Sequence, residues 1–273
     1  MTTKLKQKDG VYYLIFSLLE NLSGVKHGFS TRLGGVSQGY FSTMNLAFTT
    51  GDDREAVLEN YRRIGRALEI WPEDMVLSYQ THTTNILRVG EKDRGKGVTR
   101  ERDYRDVDGM ITDEPGVALV TFYADCVPLY FVDPVRRAIG LSHSGWRGTV
   151  NRMGEKTVQA MAEAFGSRPE NILACVGPSI CRDCYEVGED VAQQFAAAFP
   201  KAWENDILTA GREEGKYQLD LWRANETVLL EAGILPSHLA ITDVCTCCNP
   251  ELFFSHRASK GKRGNLAAFL QLN

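Results

Sequence analysis

Residues 117–148 read VALVTFYADCVPLYFVDPVRRAIGLSHSGWRG. Three apolar runs, Val117–Tyr123, Leu129–Val132 and Ala138–His143, follow one another here, rich in the β-branched and aromatic residues that favour strands. Outward from this block, strand-like runs recur at Tyr12–Ser17, Met75–Tyr79, Asn85–Val89, Gly109–Thr112 and Ile172–Gly177, then at Leu239–Val244 and Leu266–Leu270. Helical spacing appears in four places. Val57, Tyr61, Ile64 and Leu68 share one face after Asp52 and Asp53, which are candidate caps. Val158, Met161, Ala162 and Phe165 form a second face; Val191, Phe195, Ala198 and Phe199 form a third, stopped by Pro200. Leu221, Asn225, Val228 and Leu229 form the fourth, with Asp220 as its cap. Strands dominate the middle and helices interrupt them without strict alternation. That pattern predicts a mixed sheet of the α+β or irregular α/β kind over a doubly wound parallel one.

The 273 residues are enough for a large core, as one large domain or two small ones, and no Gly/Ser/Pro-rich linker divides them. Hydrophobic content of 43% and charged content of 24% are ordinary for a globular protein. With 31 Lys+Arg against 35 Asp+Glu, the net charge of −4 makes no electrostatic case for nucleic acid, though it leaves room for a local arginine pocket. The apolar stretch Val11–Leu19 is too short to span a bilayer and lacks a small-residue cleavage site, so it reads as a strand. No membrane association is expected. Seven cysteines, an odd number, fit a reducing cytoplasm better than a disulfide framework. The segment Glu91–Asp106, with eleven charged residues in sixteen, reads as a solvated flexible loop, with a mobile lid as the alternative.

Chemistry concentrates on His82, Cys126 and His143, each at the end of a strand-like run among small or polar neighbours. Separations of 44 and 17 residues are unlike a zinc finger and suit a site assembled from several loops. Two imidazoles and a thiolate can give zinc three ligands and an open position; the same groups can form a Cys-His nucleophilic pair. After His143, Ser144-Gly145-Trp146-Arg147-Gly148 leads into a helix, so Gly145 amides and Arg147 are candidate anion contacts. Arg32, beside Gly34-Gly35, is a second candidate or a hairpin residue. Cys181/Cys184 and Cys245/Cys247/Cys248 have zinc-ligand spacing, but Cys184-Tyr185-Glu186-Val187 looks like a packed segment, and reduced thiols are the expected reading.

Together, Gly28–Ser37, Gln80-Thr81-His82, Ala124-Asp125-Cys126, His143–Gly148, Gly177–Ile180, Cys184–Val187 and Cys245-Thr246 with Phe253–Ser255 resemble the YfiH/YlmD-type laccase-domain family, closest to its YlmD branch. The likeness runs from about Lys26 to the C-terminus. It implies a single catalytic α+β domain over residues 1–273, with mixed sheets sandwiched between helices as in cytotoxic necrotising factor catalytic domains. It further implies a metal site at His82, Cys126 and His143, most often zinc. The implied activity is phosphorolysis of adenosine, inosine and methylthioadenosine, with adenosine deamination as a side reaction. Nucleoside and phosphate are then the partners of a monomer or homodimer, and Asp125 is the nearest candidate to shuttle protons. Ser144 stands where alanine is common in the family, and Thr83 where glycine is frequent. A metal-free Cys-His hydrolase or amidase using Cys126 and His143 is the alternative. A phenol oxidase with a lone copper at the three-ligand site is a further one. A multicopper laccase is rejected, because it needs many histidines in His-X-His pairs and this chain has five and no such pair.

Overall fold

The computed structural model describes residues 2–273. In chain order the strands are β1 (Thr3–Lys8), β2 (Val11–Phe16), β3 (Val25–Ser30), β4 (Met75–Leu77), β5 (Ile86–Arg88), β6 (Gly109–Thr112), β7 (Ala118–Tyr123) and β8 (Val127–Asp133). They continue as β9 (Ala138–Ser144), β10 (Leu173–Val176), β11 (Glu186–Gly188), β12 (Leu208–Ala210), β13 (Lys216–Leu219), β14 (Leu239–Ile241) and β15 (Leu266–Leu272). The helices are α1 (Ser17–Glu20), α2 (Arg54–Leu68), α3 (Trp146–Val150), α4 (Met153–Phe165), α5 (Glu189–Ala198), α6 (Leu221–Glu231) and α7 (His256–Ser259).

Two six-stranded mixed sheets, ordered β1-β2-β3-β15-β7-β4 and β14-β10-β8-β9-β6-β5, carry the architecture. A small sheet, β11-β13-β12, flanks the second. Period-two alternation explains why the central strands read as unbroken apolar runs. On β8, Val127, Leu129 and Phe131 face one core while Tyr130 and Val132 face another. On β7, Leu119 and Tyr123 point between the two large sheets, and Ala118 and Val120 point to the far side. Helix α2 covers that far side through Val57, Tyr61 and Ile64. Helices α4 and α6 cover the outer face of the second sheet through Val158, Met161, Val228 and Leu229. The order helix, sheet, sheet, helix is the sandwich expected from the resemblance.

All four predicted helices and the ten predicted strands form. Asp53 caps α2 by accepting the Ala56 N–H at 2.9 Å, and Asp220 caps α6 by accepting the Arg223 N–H at 2.9 Å. Helix α5 ends at Ala198, two residues before Pro200. The charged segment Glu91–Asp106 departs from the flexible-loop expectation. The Lys96 ammonium is buried inside it and donates to Asp93 at 2.8 Å and Asp103 at 2.7 Å. The Tyr104 hydroxyl donates to the Leu77 carbonyl at 2.6 Å. These internal ties make the segment a built wall beside β4.

Candidate active site and metal centre

The chain passes from the first large sheet to the second at two seams that matter here. One is the loop between β4 and β5, which carries His82; the other is the turn Ala124-Asp125-Cys126 between β7 and β8. His143 lies on β9, opposite Pro128 of β8. Sheet switching therefore delivers all three residues to one point. Their ligand atoms lie within 4.8 Å of one another, with His82 exposed, Cys126 half-buried and His143 buried. The two imidazole rings stand edge-on, centroids 5.0 Å apart. His82 (φ 64°) and Asp125 (φ 84°) both hold left-handed backbone conformations, the kind of strain that persists where the surroundings enforce a shape.

Asp108, immediately before β6, enforces it. Its fully buried carboxylate accepts the backbone N–H of Thr81 (2.9 Å), His82 (3.1 Å) and Thr83 (3.0 Å) and the Thr83 hydroxyl (3.1 Å). The same carboxylate meets His143 Nδ1 at 2.8 Å, which leaves Nε2 as the free ring nitrogen. Burial would raise the Asp108 pKa, but the His143 bond and the amides of Thr81 and Thr83 hold it below the ordinary carboxylate value. Burial would likewise raise the Cys126 thiol, yet His143 and His82 bring it down to about 6. Burial presses His143 downward, and the Cys126 thiolate and Asp108 outweigh that, raising it to about 9. With nothing bound, the pair favours thiolate and imidazolium.

Gly145 is the floor of this cluster. A Cβ there would lie 3.1 Å from Cys126 Sγ and 3.2 Å from His82 Cδ2. Helix α3, which Gly145 precedes, has five residues, too short a dipole to build an anion site. The lack of a side chain at Gly145 is what lets Cys126 and His82 approach its backbone this closely. Beneath it, the Ser144 hydroxyl lies 3.0 Å from Asn225 Oδ1 and 3.0 Å from the Thr149 hydroxyl, so the serine is absorbed into a buried polar network.

Two cavities share His82, Ala124, Cys126 and Arg263 as their common wall. The first, about 370 Å³, is lined by Phe48, Tyr79, Phe122 and Arg102 and also touches His143. The second, about 350 Å³, is lined by Trp146, Arg147, Tyr185 and Arg257. Arg147 is exposed and stacks on Trp146, its guanidinium carbon 4.2 Å from the ring centroid. Arg263 Nε is buried with no hydrogen-bond partner.

Two predicted site residues are taken up by other contacts. Arg32 lines neither cavity. It donates to the carbonyls of Ser42 and Pro250, both at 2.9 Å, and lies 4.7 Å over the Phe254 ring, so it ties loops together. Asp125 borders the second cavity, but its oxygens accept from Thr246 Oγ1 (2.7 Å), Ser255 Oγ (3.0 Å) and the Arg257 N–H (2.7 Å). That carboxylate anchors the C-terminal segment, with three donors holding its two oxygens in place.

A family model described as multi-copper polyphenol oxidoreductase laccase matches residues 26–273. The chain belongs to this laccase-domain family. It is 35% identical over 255 residues to purine nucleoside phosphorylase YlmD of Bacillus subtilis, covering 92% of this chain and 90% of that one. It is 37% identical to purine nucleoside phosphorylase YlmD of Geobacillus stearothermophilus, covering 91% of this chain and 90% of that one. The crystal structure of that YlmD superposes with a TM-score of 0.90 at 34% identity, covering 98% of both chains. Adenosine deaminase RL5, from an unknown prokaryotic organism, is 34% identical over 87% of this chain and 90% of its own.

Membership in the laccase-domain family makes the chain an enzyme of that kind, with a His/Cys group able to hold a metal. No helix among the described residues is long and apolar enough to cross a membrane. Sequence reasoning missed Asp108 and Arg263. Asp108 stands immediately before a strand, but Asp103 and Asp106 precede it closely, so nothing in the sequence sets it apart. Arg263 stands just before the last strand in Gly261-Lys262-Arg263-Gly264, a spacing that any basic loop can show.

Proposed function

We propose that this chain is a zinc-dependent purine nucleoside phosphorylase whose catalytic unit is the whole chain, working in the cytoplasm. The observation that carries the reading is the meeting of two cavities at His82 and Cys126, the first holding Phe48, Tyr79 and Phe122 with Arg102, the second holding Arg147 and Arg257 with Trp146 and Tyr185. The donor set fits a borderline-soft divalent ion. It offers two imidazole nitrogens and a thiol already biased toward thiolate, with His143 oriented through Asp108. Copper satisfies the same donors and is the competing ion. When bound, the metal supplies a positive charge and an exchangeable position for an oxygen of substrate or water.

The residues divide the remaining work. Phe48, Tyr79 and Phe122 offer flat apolar surface for a purine. Arg147 and Arg263 hold phosphate in the second cavity, where Arg263 Nε is a buried donor in want of an acceptor. A phosphate oxygen then forms a bond to the anomeric carbon as the C–N glycosidic bond breaks. The electron pair leaves with the purine, which takes up a proton, and ribose 1-phosphate results. Catalysis of this kind rests on orientation and charge.

Adenosine deamination needs in addition a carboxylate that moves protons. Among the described residues Asp125 is the only carboxylate lining either cavity, and three donors hold it. We therefore assign deamination a lower rate than phosphorolysis. The imidazolium–thiolate pair favours one second reading, a metal-free Cys-His hydrolase with Cys126 as nucleophile. Incubation with inosine and adenosine, with and without phosphate, separates the two. Free base and ribose 1-phosphate appearing only with phosphate support the phosphorylase; no base release overturns it.

A further inference from the structure

Four cysteines outside the catalytic cluster converge on the far side of the second cavity. Cys181 and Cys184 bracket the short turn before β11, and Cys245 and Cys248 bracket the turn after β14. A bridge between Ser179 and Cys245, with the Thr246 N–H donating to the Ser179 carbonyl at 3.1 Å, brings the two Cys-X-X-Cys turns face to face. All four sulfurs lie within 4.8 Å of one another. Cys184 Sγ is 3.4 Å and Cys181 Sγ 3.9 Å from Cys248 Sγ. A tetrahedral zinc thiolate, with Zn–S of about 2.3 Å, sets its sulfurs about 3.8 Å apart. Backbone groups are arranged for thiolate charge as well: Cys245 Sγ accepts the N–H of Cys181 at 3.2 Å and of Cys248 at 3.4 Å. Cys247, between the paired residues, packs against the apolar core while also approaching the Cys184 thiol. Packing alone would not require four thiols to converge from two turns, one of them exposed at Cys248.

We propose that Cys181, Cys184, Cys245 and Cys248 form a second, structural zinc site with four thiolate ligands. Binding releases the four thiol protons and leaves a closed coordination sphere, which excludes water and substrate. The site locks two chain segments that meet beside the catalytic turn. From one of them, Thr246, Ser255 and Arg257 hold the Asp125 carboxylate next to Cys126. Arg257 also reaches across to the carbonyls of Cys184 (3.2 Å) and Glu186 (3.0 Å). The zinc is thereby a staple for the wall of the second cavity, with no part in the chemistry.

The test uses the full chain, expressed and purified without chelator, and two variants. Zinc per chain is measured by mass spectrometry on wild type, on Cys126→Ala and on the double variant Cys184→Ser with Cys248→Ser. The expected results are two, one and one equivalents. X-ray absorption at the zinc edge of Cys126→Ala should show four sulfur neighbours, which decides the matter even if the double variant fails to fold. Zinc-free Cys126→Ala with all four thiols titrating freely overturns the proposal, as does a Cys184–Cys248 disulfide in the native protein. Because Cys126→Ala removes only the catalytic ligand, a wrong assignment of the catalytic metal would lower the wild-type count and leave this second site unchanged.

Discussion

The Asp108 carboxylate meets His143 Nδ1 at 2.8 Å while the same carboxylate gathers the backbone amides around His82. One buried acid thus fixes the tautomer of one candidate ligand and the loop of another. A carboxylate with no remaining solvent contact must keep its partners, since each donor lost leaves charge uncompensated.

Replacing Asp108 with Asn keeps the shape, removes the charge and offers an N–H where the site needs acceptors. Metal affinity should fall roughly 10–100-fold, the usual effect of removing a partner behind a ligating histidine. Competitive chelator titration reads this directly. Unchanged affinity would mean that His143 is oriented by other contacts.

Gly145→Ala should damage the site while sparing the fold. The added methyl would press on Cys126 Sγ and His82 Cδ2, both little more than 3 Å away. The ligands must then give by a few tenths of an ångström, less than the roughly 1 Å that costs on the order of 100-fold in rate. We expect a loss in kcat smaller than about 100-fold, with a thermal midpoint close to wild type. Arg147→Met at the exposed rim should instead raise the KM for phosphate more than that for nucleoside.

The Cys126 thiol should be reactive once the metal is stripped. Its pKa near 6 predicts that alkylation by iodoacetamide rises with pH to a plateau above neutrality. Refilling the His82/Cys126/His143 site with metal should block it. An inflection near 9, the ordinary thiol value, would show that His143 and His82 do not stabilise the thiolate.

His27 provides a stability test away from the site. Its Nε2 accepts the Phe16 N–H at 2.9 Å, and burial lowers its pKa to about 4. The unfolded chain, with His27 near 6.5, binds a proton that the native chain refuses, so stability is full above that pH and is lost as pH falls toward 4. The loss should reach on the order of 3 kcal/mol, at about 1.4 kcal/mol per unit of pKa shift. Urea unfolding of wild type and His27→Gln from pH 7 to 4 checks it; equal slopes would discount His27.

Much of this molecule was legible because its central strands are buried on both faces. Leu129–Val132 and Leu266–Leu270, inside strands β8 and β15, announce themselves by unbroken hydrophobicity. Strand β1 did not, because its large apolar residue, Leu5, is 50% exposed and three lysines surround it, as suits a sheet edge. Strand β3 hides His27 and Gly28 within a buried ladder beside β15, a burial only the tertiary structure confers. The ligand candidates could be found because thiol and imidazole at strand ends are unusual. Asp108 and Arg263 could not be told from other charged residues, since their meaning lies in which loops the two sheets bring together. The same limit explains Arg32 and Asp125: both have the right chemistry, but Arg32 is spent on loop carbonyls and Asp125 on the C-terminal segment. The four clustered cysteines were set aside for the packed look of Cys184–Val187, and it is the bridge at Ser179 that joins their two turns.

The most direct test of the central claim is a metal add-back. Protein stripped by chelator is supplied with increasing zinc, and hypoxanthine release from inosine is followed in phosphate buffer, with Cys126→Ala in parallel. We predict release that rises with occupancy of the His82/Cys126/His143 site, vanishes without phosphate and is absent from the variant throughout. Full phosphate-dependent release by the stripped wild-type protein would contradict the account.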